Sequence, residues 1–427
     1  MKKIVVLIMF IGIAFFGNTV FAKDVVYSFN KYHEEKLDYI LKDPTGFVMA
    51  GTFEKKDQDV QVILLKYKTD GRLEWKYSYG ENKEDQLYGF TYLYDENHNV
   101  NGYVLVVEDT TNEEKETNPQ FLLVDLEGKL IRKQDSFLDS NTEIYKIEMI
   151  ENEGVLEGYL LVGAENQKGM ISKYDKDFNL IWNHSYEEEN TTIIDAISIS
   201  NMGYYVILST KVDEKDSYSL CKFDDSSSSF SILKDDFEVN MKPHLEKAKD
   251  SYLVYGVTND VKLSNNQVGS YYLMKYNKED QEEWETVGNT SVDEQKVLKV
   301  QAIENNQKTE YYILSVNRAD NSFEVIRADQ DGLLQEKVKK LKNDYYDIQD
   351  FLFSDSSLYF VGQMNCPEED NCDYDEKSLF LACTEDKVIE VKDFNIGYFL
   401  VGIFVLAGGM VVLYLVRKRK VLKEKKR

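Results

Sequence analysis

Gly46-Phe-Val-Met-Ala-Gly51, Ile63-Leu-Leu-Lys-Tyr67, Thr69-Asp-Gly71, Leu73-Glu-Trp-Lys-Tyr-Ser-Tyr79 and Gln86-Leu-Tyr-Gly-Phe-Thr-Tyr-Leu-Tyr94 follow one another within about fifty residues. Each apolar run has the length of a strand, is rich in β-branched and aromatic side chains, and ends in Asp, Asn or Gly turn chemistry. The opening run then recurs as Gly102-Tyr-Val-Leu-Val-Val, Gly158-Tyr-Leu-Leu-Val-Gly and Gly203-Tyr-Tyr-Val-Ile-Leu. It returns in weaker form as Ser251-Tyr-Leu-Val-Tyr-Gly, Glu310-Tyr-Tyr-Ile-Leu-Ser and Ser357-Leu-Tyr-Phe-Val-Gly. From position 46 to position 357 the mean spacing over six intervals is near 52.

Four short strands in a unit of that length describe one blade of a β-propeller. Seven units of 52 need 364 residues, and the stretch 23–393 offers 371. The sequence therefore predicts an all-β, seven-bladed β-propeller over 23–393. Four prolines, thirty tyrosines and no sustained helical periodicity agree with that reading. Val25-Val-Tyr-Ser-Phe and Lys387-Val-Ile-Glu-Val occupy the same repeat position as Trp75-Lys-Tyr-Ser-Tyr. One of them is expected to complete the last blade, so that the two ends of the repeat region meet in one sheet and leave no free edge.

The units read approximately as Gly-Tyr-Val-x-x-Gly, then Leu-x-Lys-Tyr-Asp-x-x-Gly-x-x-x-Trp. In this they resemble exported bacterial β-propeller proteins with PQQ-like and kelch-like repeats. Tryptophan occupies its place in three units (Trp75, Trp182 and Trp284). The paired glycines of kelch units and the Ala-x-Asp starts of quinoprotein blades are missing, so the resemblance implies a fold and does not carry quinone binding.

Outside the repeat, Lys2 and Lys3 precede an apolar run, Ile4 to Phe16, and the small residues Val20 and Ala22. This is the pattern of a signal peptide over 1–22. Ile396 to Val416 is twenty-one residues without a charge, about 30 Å as a helix and long enough to cross a bilayer core. Arg417-Lys-Arg-Lys comes directly after it, which places the tail 417–427 in the cytoplasm and the propeller outside, a single-pass type I arrangement in the cell membrane.

The whole chain carries a formal charge of −25. Without residues 1–22 and 396–427, 41 basic and 75 acidic residues remain, a net of −34. Such a domain repels phosphate, and no nucleic-acid partner is expected.

Candidate chemistry is sparse. Lys66, Lys173, Lys222, Lys275 and Arg327 share one position in the second strand of their sequence units. They read as amphipathic side chains covering apolar surface rather than as a ring for anions. Cys366 and Cys372 flank a short acidic turn and are expected to form a disulfide in an exported chain. Cys221 reads as a small core residue. Asp370, Asp373 and Asp375 lack the spacing of a calcium loop and read as a solvated acidic turn. His33, His98, His184 and His244 fall at unrelated repeat positions, and no hydrolase or phosphate-loop motif is present. No catalytic residue, cofactor or metal site is assigned, and the chain is read as a non-enzyme.

These features together predict a membrane-anchored extracytoplasmic module that binds another envelope or membrane protein, or an envelope glycan. Two alternatives stay open: a propeller enzyme acting on envelope carbohydrate, and the sensor subunit of a membrane complex. The lengthened loops at Asp109 to Pro119 and Val261 to Gly269 are candidate recognition loops.

Overall fold

The computed structural model describes residues 25–27 and 35–384, apart from 56–58, 70–71, 80–84, 110–117, 140, 213–214, 236, 238–242, 257–268, 290–294, 306–307, 318–321, 343–345, 356 and 365–376. All its regular elements are strands, and these form seven four-stranded sheets, each hydrogen-bonded in antiparallel fashion. Blades 1 to 6 span 35–79, 86–135, 142–185, 191–234, 244–289 and 295–342, and blade 7 spans 346–384. The fold is a β-propeller.

The first strand of each blade from the second onward lies against the preceding blade, and that of blade 1 lies against blade 7. The first strands therefore face the centre of the ring. Burial follows this order: the first strand of blade 4, Thr191–Ile199, is almost entirely buried, whereas the last strand of blade 2, Leu130–Asp135, is almost entirely exposed. Ring closure is visible atom by atom. The Ile40 amide donates to Asp350 Oδ2 at 3.1 Å, Lys42 Nζ donates to Ser354 Oγ at 2.7 Å, and the rings of Phe47 and Tyr359 lie 3.9 Å apart. Val25–Tyr27 pairs with Lys377–Thr384 as the outermost strand of blade 7. The beginning of the repeat region thus completes the last sheet. The competing segment 387–391 lies outside the described residues.

One expectation about the repeat needs correction. The run Gln86–Tyr94 closes the sequence unit that begins at Gly46, yet in space it is the first strand of blade 2. The reason is the tight hairpin after it: the Asp95 amide bonds to the Asn99 carbonyl at 2.9 Å, tying this strand to the next one.

The spacing of glycine and tryptophan in the units has a direct cause. Asp125 Oδ1 accepts the amides of Glu127 and Lys129 at 3.0 and 2.7 Å, which closes the turn through Gly128 at φ +82°. Trp75 of blade 1 lies over that turn and donates its indole N–H to the Leu126 carbonyl at 3.0 Å. A Cβ at Gly128 would come within 2.7 Å of the Trp75 ring. Trp284 of blade 5 caps the Gln330 carbonyl of blade 6 in the same way, at 3.1 Å. Between the blades, apolar clusters such as Phe121, Tyr159, Tyr174 and Phe178 fill the wedge and supply most of the burial.

Candidate functional site

Six of the seven first strands contain a register break at the same place, where one extra residue enters the strand. The extra residues are Asp38, Tyr88, Tyr145, Ile194, Leu298 and Gln349. The residues just after them are Tyr39, Gly89, Lys146, Asp195, Lys299 and Asp350. A bulge rotates the strand locally, so these neighbours point away from the regular alternation, and they build two polar features.

The first feature is a charged network at the centre. Asp195 of blade 4 accepts Lys146 Nζ of blade 3 at 2.7 Å, its own neighbour's amide at Ala196 at 2.7 Å, and the Leu245 amide of blade 5 at 3.0 Å. His244 Nδ1 lies 3.2 Å from the same carboxylate. Burial would raise the Asp195 carboxyl, but the Lys146 ammonium and His244 outweigh it and hold the group at about 2. Asp350 of blade 7 repeats the arrangement, pairing with Lys299 of blade 6 and accepting the amides of Phe351 at 2.7 Å and Ile40 at 3.1 Å. Glu246 accepts the Ala302 amide of blade 6 at 3.0 Å, and burial raises its carboxyl to about 7 against the pull of that bond and of Lys299 and Lys146. Among the described residues, a carboxylate on a backbone amide thereby pins blade 4 to blade 5, blade 5 to blade 6 and blade 7 to blade 1.

The second feature is a cavity of about 1190 Å³ on the face where the first strands of blades 2, 3 and 4 begin. Two of the bulge residues, Tyr88 and Tyr145, line it. The Tyr145 bulge depends on Gly163 opposite, where a Cβ would come within 1.8 Å of the Glu143 carbonyl. Amides form much of the rest of the wall. Asn166, Gln167 and Asn190 line it from turns in which each adopts the left-handed region, at φ 52°, 64° and 58°. Thr191 anchors that wall: its hydroxyl donates to the Glu188 carbonyl at 2.7 Å and accepts the Gly169 amide of blade 3 at 2.8 Å. Tyr88 donates its hydroxyl to Glu108, and burial together with that carboxylate pushes the phenol far above its ordinary value. The site offers hydroxyls, amides, aromatic faces and carboxylates around a volume larger than a drug-sized pocket.

The residues expected from sequence fall elsewhere. The shared basic position lies on the third strand of each blade, away from the centre, and its members are paired. Lys66 meets Asp43 at 3.0 Å, Lys173 meets Asp225 at 3.1 Å, Lys222 meets Asp280 at 2.8 Å, Lys275 meets Glu283 at 3.0 Å, and Arg327 meets Glu310 at 3.7 Å. Lys173 and Lys222 reach the turn of the following blade, so their work is blade-to-blade attachment. Cys221 is buried in the core between blades. Of the described histidines, His244 reaches the central network, while His184 stacks beside Trp182 with ring centroids 5.1 Å apart. Cys366, Cys372 and the acidic turn with Asp370, Asp373 and Asp375 lie outside the described residues, as do His33, 1–22 and 396–427. Among the described residues no helix is long and apolar enough to cross a membrane, and no group of three or more His, Cys, Asp or Glu side chains is placed to hold a metal ion.

No protein-family model matches the sequence, and no relative was found among curated proteins. Solved structures are similar in fold. The polysaccharide lyase Uly1 aligns at TM-score 0.51 and 10% identity, over 82% of this chain and 90% of its own. The β-propeller domain of the trilobed protease from Pyrococcus furiosus, described as having an open velcro topology, aligns at 0.48 and 10% identity, over 85% of this chain and 99% of its own. A quinoprotein alcohol dehydrogenase-like protein from Bacteroides thetaiotaomicron aligns at 0.40 and 12% identity, over 73% of this chain and 66% of its own. At these identities the likeness is one of fold alone.

Proposed function

We propose that this protein is a binding module held at the outer face of the cell membrane, and that its ligand is a glycan taken by the cavity over blades 2 to 4. The observation that carries this reading is the cavity itself. Its wall combines amide side chains, hydroxyls and the bulge-directed rings of Tyr88 and Tyr145. Hydroxyl-rich ligands need many paired donors and acceptors, and apolar faces for their ring carbons. Support for the anchor is the uncharged run 396–416 with Arg417-Lys-Arg-Lys directly after it. In this reading the repeat region is a seven-bladed propeller and 396–416 is a single-pass helix.

The test is binding of the full-length, detergent-purified protein to an array of bacterial envelope glycans. Retention of a glycan by the wild type, lost in Tyr145→Ala, supports the reading. A protein that captures no glycan, yet crosslinks stoichiometrically to one envelope protein in native membranes, overturns it in favour of a protein partner. The hydrogen bond from Tyr88 to Glu108 favours one second reading, an enzyme that works on the bound glycan. Incubation of the retained glycan with the protein, and then sizing of the products, separates catalysis from binding.

A further inference from the structure

The charge of the cavity narrows the ligand beyond a glycan in general, and this step rests on the glycan reading above. Three acids, Glu108, Glu143 and Asp216, line the cavity against one base, Lys211. Glu108 is engaged by Tyr88. Glu143 and Asp216 are exposed, and Asp216 lies opposite Lys211 in the strand pair. Tyr145, which is 38% exposed, hydrogen-bonds Glu143 and shares the cavity wall with Asp216, so the aromatic ring and the two acids line one site. Glu143 also acts on Tyr88. An aromatic face beside carboxylates that outnumber the one nearby lysine, Lys211 opposite Asp216 in the strand pair, is an environment that attracts an organic ammonium, through the ring quadrupole and charge-assisted hydrogen bonds. A uronate or phosphate-bearing polymer would meet the like charge of the cavity and of the whole domain.

We infer that the cavity binds an amine-bearing saccharide, an oligomer of 2-amino-2-deoxy sugars, with a protonated amine seated between Tyr145, Glu143 and Asp216. Asn166, Gln167 and Asn190 then face the sugar hydroxyls. Arginine- or lysine-bearing peptides share the charge but not the polyhydroxylated body that this amide wall would pair.

Calorimetric titration of the full-length protein at pH 6 with four probes tests this: a glucosamine tetramer, its fully N-acetylated counterpart, tetragalacturonate and tetralysine. The glucosamine tetramer should bind at least about ten-fold tighter than the N-acetylated one, equivalent to about 1.4 kcal/mol. The preference should shrink with added salt. In Glu143→Gln/Asp216→Asn the preference should vanish while N-acetylated binding persists, with an unchanged thermal melt as the control for folding. Equal or tighter binding of the N-acetylated tetramer overturns the ammonium site and leaves the glycan reading standing. Tetralysine matching the glucosamine tetramer overturns the saccharide part of the inference. Binding of tetralysine with no saccharide bound at all sinks the glycan reading as well.

Discussion

Two junctions in the ring use the same device in different company. At Asp195, a lysine from the preceding blade and an amide from the following blade share one carboxylate, and His244 stands at its edge. At Asp350 the lysine and the amide are in place, and Tyr39 occupies the position of the histidine. The first junction joins consecutive blades of the chain. The second joins the last blade to the first, across 310 residues of sequence. That the same geometry serves both indicates that ring closure needs no special lock. A carboxylate placed after a bulge suffices, because it satisfies two amides that strand pairing leaves unused and pairs with a half-buried ammonium.

Removing the carboxylates is the strongest way to break this comparison. Asp195→Ala and Asp350→Ala should each cost about 2–3 kcal/mol, since each leaves two amides without their acceptor and takes from a half-buried lysine its nearest carboxylate. Urea unfolding of the two variants measures it. Losses within about 1 kcal/mol of each other would show one device used twice, and a much larger loss at Asp350 would show that closure carries its own penalty.

The bulges can be tested next. Gly163→Val should cost about 1–3 kcal/mol by overpacking against the Glu143 backbone, and should abolish glycan retention while the fold survives. Retained binding in a stable variant would separate the cavity from the bulge.

Acidity separates the Asp195 junction from a third one, where Glu246 joins blade 5 to blade 6. The Asp195 carboxyl lies at about 2, below its ordinary 3.8. Its contribution of about 2 kcal/mol is therefore complete above pH 3.8 and lost as pH falls toward 2. Glu246 is shifted the other way, from 4.5 to about 7. The folded state holds that proton longer than the unfolded chain does, so stability falls as pH rises from 4.5 through 7. Because Glu246 is partly exposed, the expected loss is about 1–2 kcal/mol rather than the full shift. Glu246→Gln should flatten that upper limb and leave the acid limb intact in a series of unfolding curves across pH.

The smallest effect concerns the rim. Trp75→Phe and Trp284→Phe each lose one indole bond to a turn carbonyl and should cost about 1 kcal/mol by thermal melt. Unequal losses would show that the two turns are held by different neighbours.

Much of this architecture could be read from the chain. Glycine-led strands, Asp turns and the tryptophan spacing are local features, each tied to a hairpin or a turn, and they delivered the propeller. The cavity and the central network were not visible, because they depend on which face a side chain takes after a bulge. A trace of the signal does exist. Ile144-Tyr-Lys146, Ile193-Ile-Asp195, Val297-Leu-Lys299 and Ile348-Gln-Asp350 share an aliphatic residue, one free position and then a charge. The hairpins after them differ in length, so a count back from the glycine strand does not align them. Nothing in the alternation alone marks Tyr88 or Tyr145 as turned toward a common space.

By itself, then, the sequence determined the strand content, the repeat and the acidic surface, since these arise from composition and from contacts between near neighbours. Tertiary structure alone decided which blade each strand joins and which charges meet at the centre. It also decided which rings and carboxylates enclose the cavity. These depend on one-residue shifts in register and on residues brought together from separate blades. A shift of one residue reverses the face of a side chain without altering the hydrophobic content of the strand.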